Sequence, residues 1–245
     1  LLDGRVVYRQ PRTGYRTGIE PVLLAASVPA RAGERVMEAG TGAGAALLCL
    51  LARVPGVSGI GVERDPALAE LARQNAAANG LADLSVVTGD LLEAPAGAPV
   101  DHAMANPPWH GADSTAAADP GRDAAKRGRP GLLAAWAGAL GRRLRHRGTL
   151  TLIVPARAAA EALAALEAAG CGGLALLPLW PAAGIEARIV LVRGVRGGRG
   201  GSRVLAGLVL HERAAPDGAG SAPGQRFTAA AEAVLRGGGA MPWPV

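Results

Sequence analysis

The strongest constraint on the fold of this chain is an alternation. Short apolar runs take turns with Ala- and Leu-rich stretches of helical length. "ERVMEAG" (34–40), "SGIGVE" (58–63), "LSVVTGD" (84–90), "VDHAMAN" (100–106) and "GTLTLIVP" (148–155) read as strands. "AALLCLLARV" (45–54), "PALAELARQNAAANG" (66–80) and the stretches 131–145 and 156–169 read as helices. Such an order predicts a mostly parallel sheet with helices on both faces. Nothing helical separates "GGLALLPLWP" (172–181) from "EARIVLVRGV" (186–195), so these predict a hairpin and an antiparallel edge. The expected fold is α/β: a doubly wound, mostly parallel seven-stranded sheet with an antiparallel C-terminal hairpin.

Length and composition suit one such unit. At 245 residues the chain can bury the core of a single large domain, expected over 1–245. Residues 1–30 form a flanking segment of that domain and 196–245 its C-terminal extension, ending in a short helix within "QRFTAAAEAVLRGGG". A hydrophobic content of 49% excludes a disordered chain. No apolar run reaches the roughly 18–20 residues of a membrane span. The opening "LLDGRVVYRQ" has neither an initiator Met nor a signal-peptide pattern, and a cytoplasmic location is expected. Cys49 and Cys171 lie far apart in apolar settings, which suits buried thiols and neither a disulfide framework nor a zinc site. No metal is expected.

The net charge of +6 favours an anionic partner. Lys126 is the only lysine, and arginine is abundant together with Ala, Gly and Pro, as in GC-rich genomes, so charge alone is modest support. Two polar segments stand apart. "GADSTAAADPGRDAAKRGRPG" (111–131) is a long basic loop, and "RGGRGGSR" (196–203) reads as a Gly-rich surface loop.

The first predicted strand runs into "EAGTGAGA" (38–45). Gly40, Gly42 and Gly44 allow a tight turn and close approach to a ligand, and the next helix aims its positive end there. Two cofactors compete for this turn. Gly40 to Ala45 fits the dinucleotide pattern G-x-G-x-x-A, with Glu63 at about the right distance to hold a ribose. The alternative is S-adenosylmethionine. Glu38 at the strand end suits its cationic ammonium group and would repel a pyrophosphate. Glu63 can accept from both ribose hydroxyls, and Asp90 from the adenine amine. An acid at the end of three successive strands fits this cofactor better.

"NPPWH" (106–110) ends the fourth strand, at the reversal point of a doubly wound sheet. Asn-Pro alone commonly marks a turn. Beside a methyl donor it has a chemical use. An exocyclic amine on a planar base has its lone pair delocalised into the ring. The Asn106 amide oxygen and the Pro107 carbonyl can accept its two N–H protons and direct the lone pair at the methyl group. Pro107 and Pro108 keep these acceptors rigid, and Trp109 offers a face for stacking a base. His110 is read as incidental.

With these motifs in place, the chain resembles the class I S-adenosylmethionine-dependent methyltransferases of the N-P-P-aromatic group. It is most similar to the bacterial tRNA (valine) adenine-N6 methyltransferases. The resemblance extends over nearly the whole chain, including "GYRTGIEPVLLAA" (14–26), the "LPLWPAAGIEARIVLVRGVRGG" hairpin and the "LVLHE" and "FTAAAEAVL" tail. It implies that the start of the helix in 14–26 lies near the methionine end of the cofactor. Glu20 stands where the family usually has Asp, and Trp109 where it has Tyr or Phe. Asn106, Pro107, Pro108 and Trp109 would be the catalytic corner. Glu38, Gly40, Gly42, Gly44, Glu63, Asp90 and Asn106 would hold the cofactor. Arg122, Lys126, Arg127 and Arg129 would meet RNA phosphates. The expected substrate is adenine N6 of a tRNA, with no obligate protein partner. Related enzymes with the same corner methylate rRNA guanine N2 or protein glutamine N5, and a non-catalytic RNA-binding protein is the alternative of another class.

Overall fold

The structure is a computed structural model and describes residues 1–12, 17–93, 97–108, 131–212 and 226–243. The alternation is realised as α1 (Glu20–Ser27), β1 (Arg35–Ala39), α2 (Ala45–Arg53), β2 (Ser58–Glu63), α3 (Pro66–Ala78), β3 (Leu84–Thr88) and β4 (Val100–Ala105). There follow α4 (Leu132–Arg143), β5 (Leu144–Pro155), a 3-10 turn at Ala156–Ala158, α5 (Ala159–Ala168), β6 (Cys171–Ala182) and β7 (Ile189–Arg196). The last elements are β8 (Arg203–Val204), β9 (Leu208–His211) and α6 (Ala229–Leu235).

The strands are ordered β3-β2-β1-β4-β5-β7-β6. The first five are parallel, and β7 is antiparallel to both β5 and β6. This is the expected doubly wound sheet with its hairpin. The count of seven needs correction: β8 and β9 pair in parallel with β6, which makes a nine-stranded sheet among the described residues. They are short, and "LVLH" earns its place by burying Leu208 and Leu210. A second correction concerns β5, which begins at Leu144 and not at 148. The helix expected over 131–145 stops at Arg143, and "LRHR" instead begins the strand, through a register irregularity opposite Val100–His102, with Arg147 at φ +68°.

Local signals explain the helix boundaries. Asp65 accepts hydrogen bonds from the N–H groups of Ala67 and Leu68, and Pro66 occupies the first helical position of α3. Each face of the sheet has its own core. Leu23, Leu24, Leu47, Leu48 and Leu50 of α1 and α2 cover one face with Val234 and Leu235 of α6. Leu140 and Leu166 of α4 and α5 cover the other, against Leu150 and Leu152 of β5. A fully buried Leu contributes about 1.5–3 kcal/mol, so these layers fix the strand ends firmly. The strand order reverses between β1 and β4, and in a doubly wound sheet the carboxyl ends at such a reversal are where ligands bind.

Candidate functional site

The glycine-rich turn is tied to β2 at its first step. The N–H groups of Gly40 and Thr41 both donate to the Val62 carbonyl, at 2.8 and 3.1 Å. Gly40, Gly42 and Gly44 have φ of +64°, +56° and +91°, a region costly for any residue with a Cβ. A Cβ on Gly42 would meet nothing, so the space beside it is open. One on Gly40 would lie 2.8 Å from Cη2 of Trp136, whose half-buried indole leans on the turn from α4. Sequence reasoning missed Trp136, because "LLAAWAGAL" is an ordinary helical stretch.

The three acids stand where the sequence put them, along the carboxyl edge of β1, β2 and β3. Glu38 is only 4% exposed. Burial pushes its carboxyl up to about 8, while hydrogen bonds from Thr41 and the Leu47 backbone pull the other way and the charge of Glu63 adds to the rise. Thr41 Oγ1 donates to Glu38 Oε2 at 2.6 Å, a partner the sequence did not announce. Glu63 Oε2 accepts from Gly42 N–H at 2.8 Å, and its Oε1 from Asp65 N–H at 2.9 Å. A carboxylate has about four acceptor sites, so each oxygen of Glu63 retains capacity for a hydroxyl. Asp90 follows Gly89, whose N–H donates to the Glu63 carbonyl at 2.8 Å. Asp90 Oδ1 accepts from Leu92 N–H at 2.8 Å and shapes the next turn.

This donor set suits S-adenosylmethionine. A buried acid awaits a cation, a second acid presents both oxygens beside an open glycine, and a third lies one strand further on.

The corner is equally well placed. Glu38 pairs with Met104 and Ala39 with Ala105. Continuing that register by one residue sets Asn106 beside Gly40. Asn106 and Pro108 are half-buried and Pro107 is buried. Trp109, Arg122, Lys126, Arg127 and Arg129 lie outside the described residues. Tyr8, from the N-terminal segment, is a further neighbour that sequence reasoning missed. Its hydroxyl hydrogen-bonds Thr17 Oγ1 at 2.7 Å. Burial raises its pKa, the Thr17 bond opposes this, and nearby Glu38 adds to the rise. Among the described residues no cluster of His, Cys, Asp or Glu could hold a metal ion, and no helix is long and apolar enough to cross a membrane.

Comparison with known proteins agrees with this fold. Residues 19–121 match the family described as methyltransferase small domain. A release factor glutamine methyltransferase of Rhodospirillum rubrum is 37% identical over 111 residues, 45% of this chain and 33% of that protein. The chain thus matches about a third of the length of this curated relative. Among solved structures, a predicted O-methyltransferase of Agrobacterium tumefaciens superposes with a TM-score of 0.73 at 26% identity, covering 92% of this chain and 99% of the other. An S-adenosylmethionine-dependent O-methyltransferase of Thermotoga maritima shares the fold at a TM-score of 0.55 and 17% identity, covering 77% and 69%.

Proposed function

We propose that this chain, a methyltransferase domain whose methyl donor is S-adenosylmethionine, transfers the methyl group to a planar, amide-like or exocyclic NH₂ nitrogen. The observation that carries the reading is the Asn106–Pro107 corner, which follows directly on the Ala39–Ala105 pair at the strand-order reversal, as the acid-lined turn does on the other strand. The cofactor supplies an electrophilic methyl group on a sulfonium. Glu38 would meet its ammonium end, Glu63 its ribose hydroxyls and Asp90 its adenine amine. Asn106 Oδ1 and the Pro107 carbonyl would accept hydrogen bonds from the two N–H groups of the target, one of whose protons leaves to solvent once the N–C bond has formed. Accepting these bonds draws the nitrogen out of conjugation and stabilises the positive charge that develops there. Trp109 supplies a face for the flat substrate group. Asn106, Pro107 and Trp109 form the catalytic corner, and Pro108 stiffens it.

The substrate supported best is the side-chain amide of a protein glutamine. The curated relatives are named for that chemistry, and a primary amide presents the planar NH₂ that the corner fits. A second reading, adenine N6 of a tRNA, is favoured by the net charge of +6 and by Arg122, Lys126, Arg127 and Arg129. Incubating the full chain with methyl-labelled cofactor, first with a protein extract and then with total tRNA, separates the two. Mass spectrometry should find labelled methylglutamine in a protein digest. Label in N6-methyladenosine would select the second reading, and label in neither would sink both.

A further inference from the structure

Asn75 on α3 and Asn79, the residue just past its C-terminal end, grip the N-terminal segment by its backbone. Asn75 is wholly buried. Its Nδ2 donates to the carbonyls of Arg9 and Ala43, both at 2.9 Å, and its Oδ1 accepts from Arg9 N–H at 3.0 Å. Asn79 Oδ1 accepts from Val7 N–H at 2.9 Å, and its Nδ2 donates to the Val7 carbonyl at 2.7 Å. Each side-chain amide thus pairs with a residue as a neighbouring strand would. The spacing explains why two suffice. Four residues of helix rise about 6 Å, and two residues of extended chain rise about 6.6 Å. Side chains at 75 and 79 therefore meet backbone groups at 9 and 7 in register.

Asn75 does more than Asn79. Ala43 lies between Gly42 and Gly44, so the same amide that holds Arg9 also holds the glycine-rich turn. Tyr8 sits between the two gripped residues and is packed against the apolar core close to Glu38. We infer that Asn75 is a positioning residue of the cofactor pocket: its side-chain amide locks residues 7–9 as a fixed strap to the glycine-rich turn and so sets the wall that carries Tyr8 beside Glu38. The part of this concerning S-adenosylmethionine rests on the proposed function. The coupling of strap to turn does not.

The test combines hydrogen exchange with calorimetry of S-adenosylhomocysteine on the full chain. Asn75→Ala leaves the Arg9 and Ala43 groups without their partner. Exchange should quicken both in residues 7–10 and in 40–46, with β4 and β5 as protected as in the parent. Affinity for S-adenosylhomocysteine should fall about tenfold or more, the equivalent of roughly 1.4 kcal/mol. Asn75→Asp retains only the acceptor and should not rescue either readout. Asn79→Ala keeps the Ala43 link, so exchange should quicken around Val7 while 40–46 stays protected and affinity changes by less than about threefold. That variant decides the matter if Asn75→Ala does not fold, because quickening of 40–46 in Asn79→Ala would remove the special role of Asn75. Unchanged exchange of 40–46 or unchanged affinity in a folded Asn75→Ala would overturn the inference. A parent that binds no S-adenosylhomocysteine would overturn the proposed function, and the exchange pattern alone would then judge the strap.

Discussion

Thr41 donates its hydroxyl hydrogen to Glu38 Oε2 at 2.6 Å, inside the turn that follows β1. This bond sets the carboxyl's direction in a place where burial disfavours its charge. Its pKa rises from 4.5 to about 8. Between those values the folded chain holds a proton that the unfolded chain has released. The group's contribution to stability is full below about pH 4.5 and is lost as the pH climbs through about 8. A bound ammonium would reverse the preference and expel the proton. Affinity for S-adenosylhomocysteine should therefore rise by up to about tenfold per pH unit below about 8 and then level off. Calorimetry in buffers of different ionisation enthalpy should show about one proton released near pH 7. Glu38→Gln should abolish that release, and a flat profile in the parent would mean that Glu38 is already charged.

Gly40 and Trp136 predict a coupled pair. Gly40→Ala brings a Cβ to 2.8 Å from the indole at a φ of +64°. The backbone penalty is about 1–2 kcal/mol, and the contact adds to it. Chemical denaturation should show a loss of about 2–3 kcal/mol in the parent background. In a Trp136→Ala background the same change should cost about 1 kcal/mol less. Equal costs in both backgrounds would show that the ring yields without strain.

Asn106 is expected to act on the reacting nitrogen and only secondarily on the cofactor. Asn106→Ala should keep its thermal midpoint and S-adenosylhomocysteine affinity close to those of the parent. Single-turnover methyl transfer should slow by about 10²–10³, the usual cost of losing one aligned polar group at a developing charge. Asn106→Asp retains an acceptor oxygen, so activity above that of Ala would show that acceptance is the main role. Transfer at the parent's rate by either variant would reduce the corner to a turn.

At the opposite end of the sheet, His102 bridges two elements. Its Nδ1 lies 2.8 Å from Thr149 Oγ1 and its Nε2 2.9 Å from Glu34 Oε2. Burial lowers its pKa from the ordinary 6.5. Glu34 and Asp101 oppose that shift, and the charge of Arg145 reinforces it. The stability it contributes is present above about pH 6.5 and lost as the pH falls through its lowered pKa. His102→Gln should cost about 1 kcal/mol at pH 8, where a hydrogen bond is lost. It should also flatten the acid limb of the stability profile, and an unchanged limb would place the titration elsewhere.

The acid-lined turn and the corner were legible because their chemistry is local. Three glycines, an acid at each strand end and two prolines announce themselves within a few residues. The mostly parallel sheet and its antiparallel hairpin followed from alternation alone. What escaped depends on encounters between distant segments. Asn75 and Asn79 look like the polar side of a helix end until the N-terminal strap lies on them. Trp136 gains meaning only when α4 packs beside Gly40. The charged start of β5 escaped because its pairing crosses an irregularity that no periodicity reveals, and β8 and β9 are too short to show a period.

The strand order also has a consequence for how the chain assembles. β7 lies between β5 and β6 although it follows both in sequence. As the chain emerges from the ribosome, β5 and β6 appear without the strand that joins them. Through that interval the outer edge of β5, with Leu150, Leu152 and Val154, offers unpaired backbone groups to any extended neighbour. Ile189–Arg196 thus acts as a late wedge that closes the sheet. A nascent chain stalled between 182 and 189 should be held by chaperones or aggregate, whereas one released past 196 has its central strands sealed.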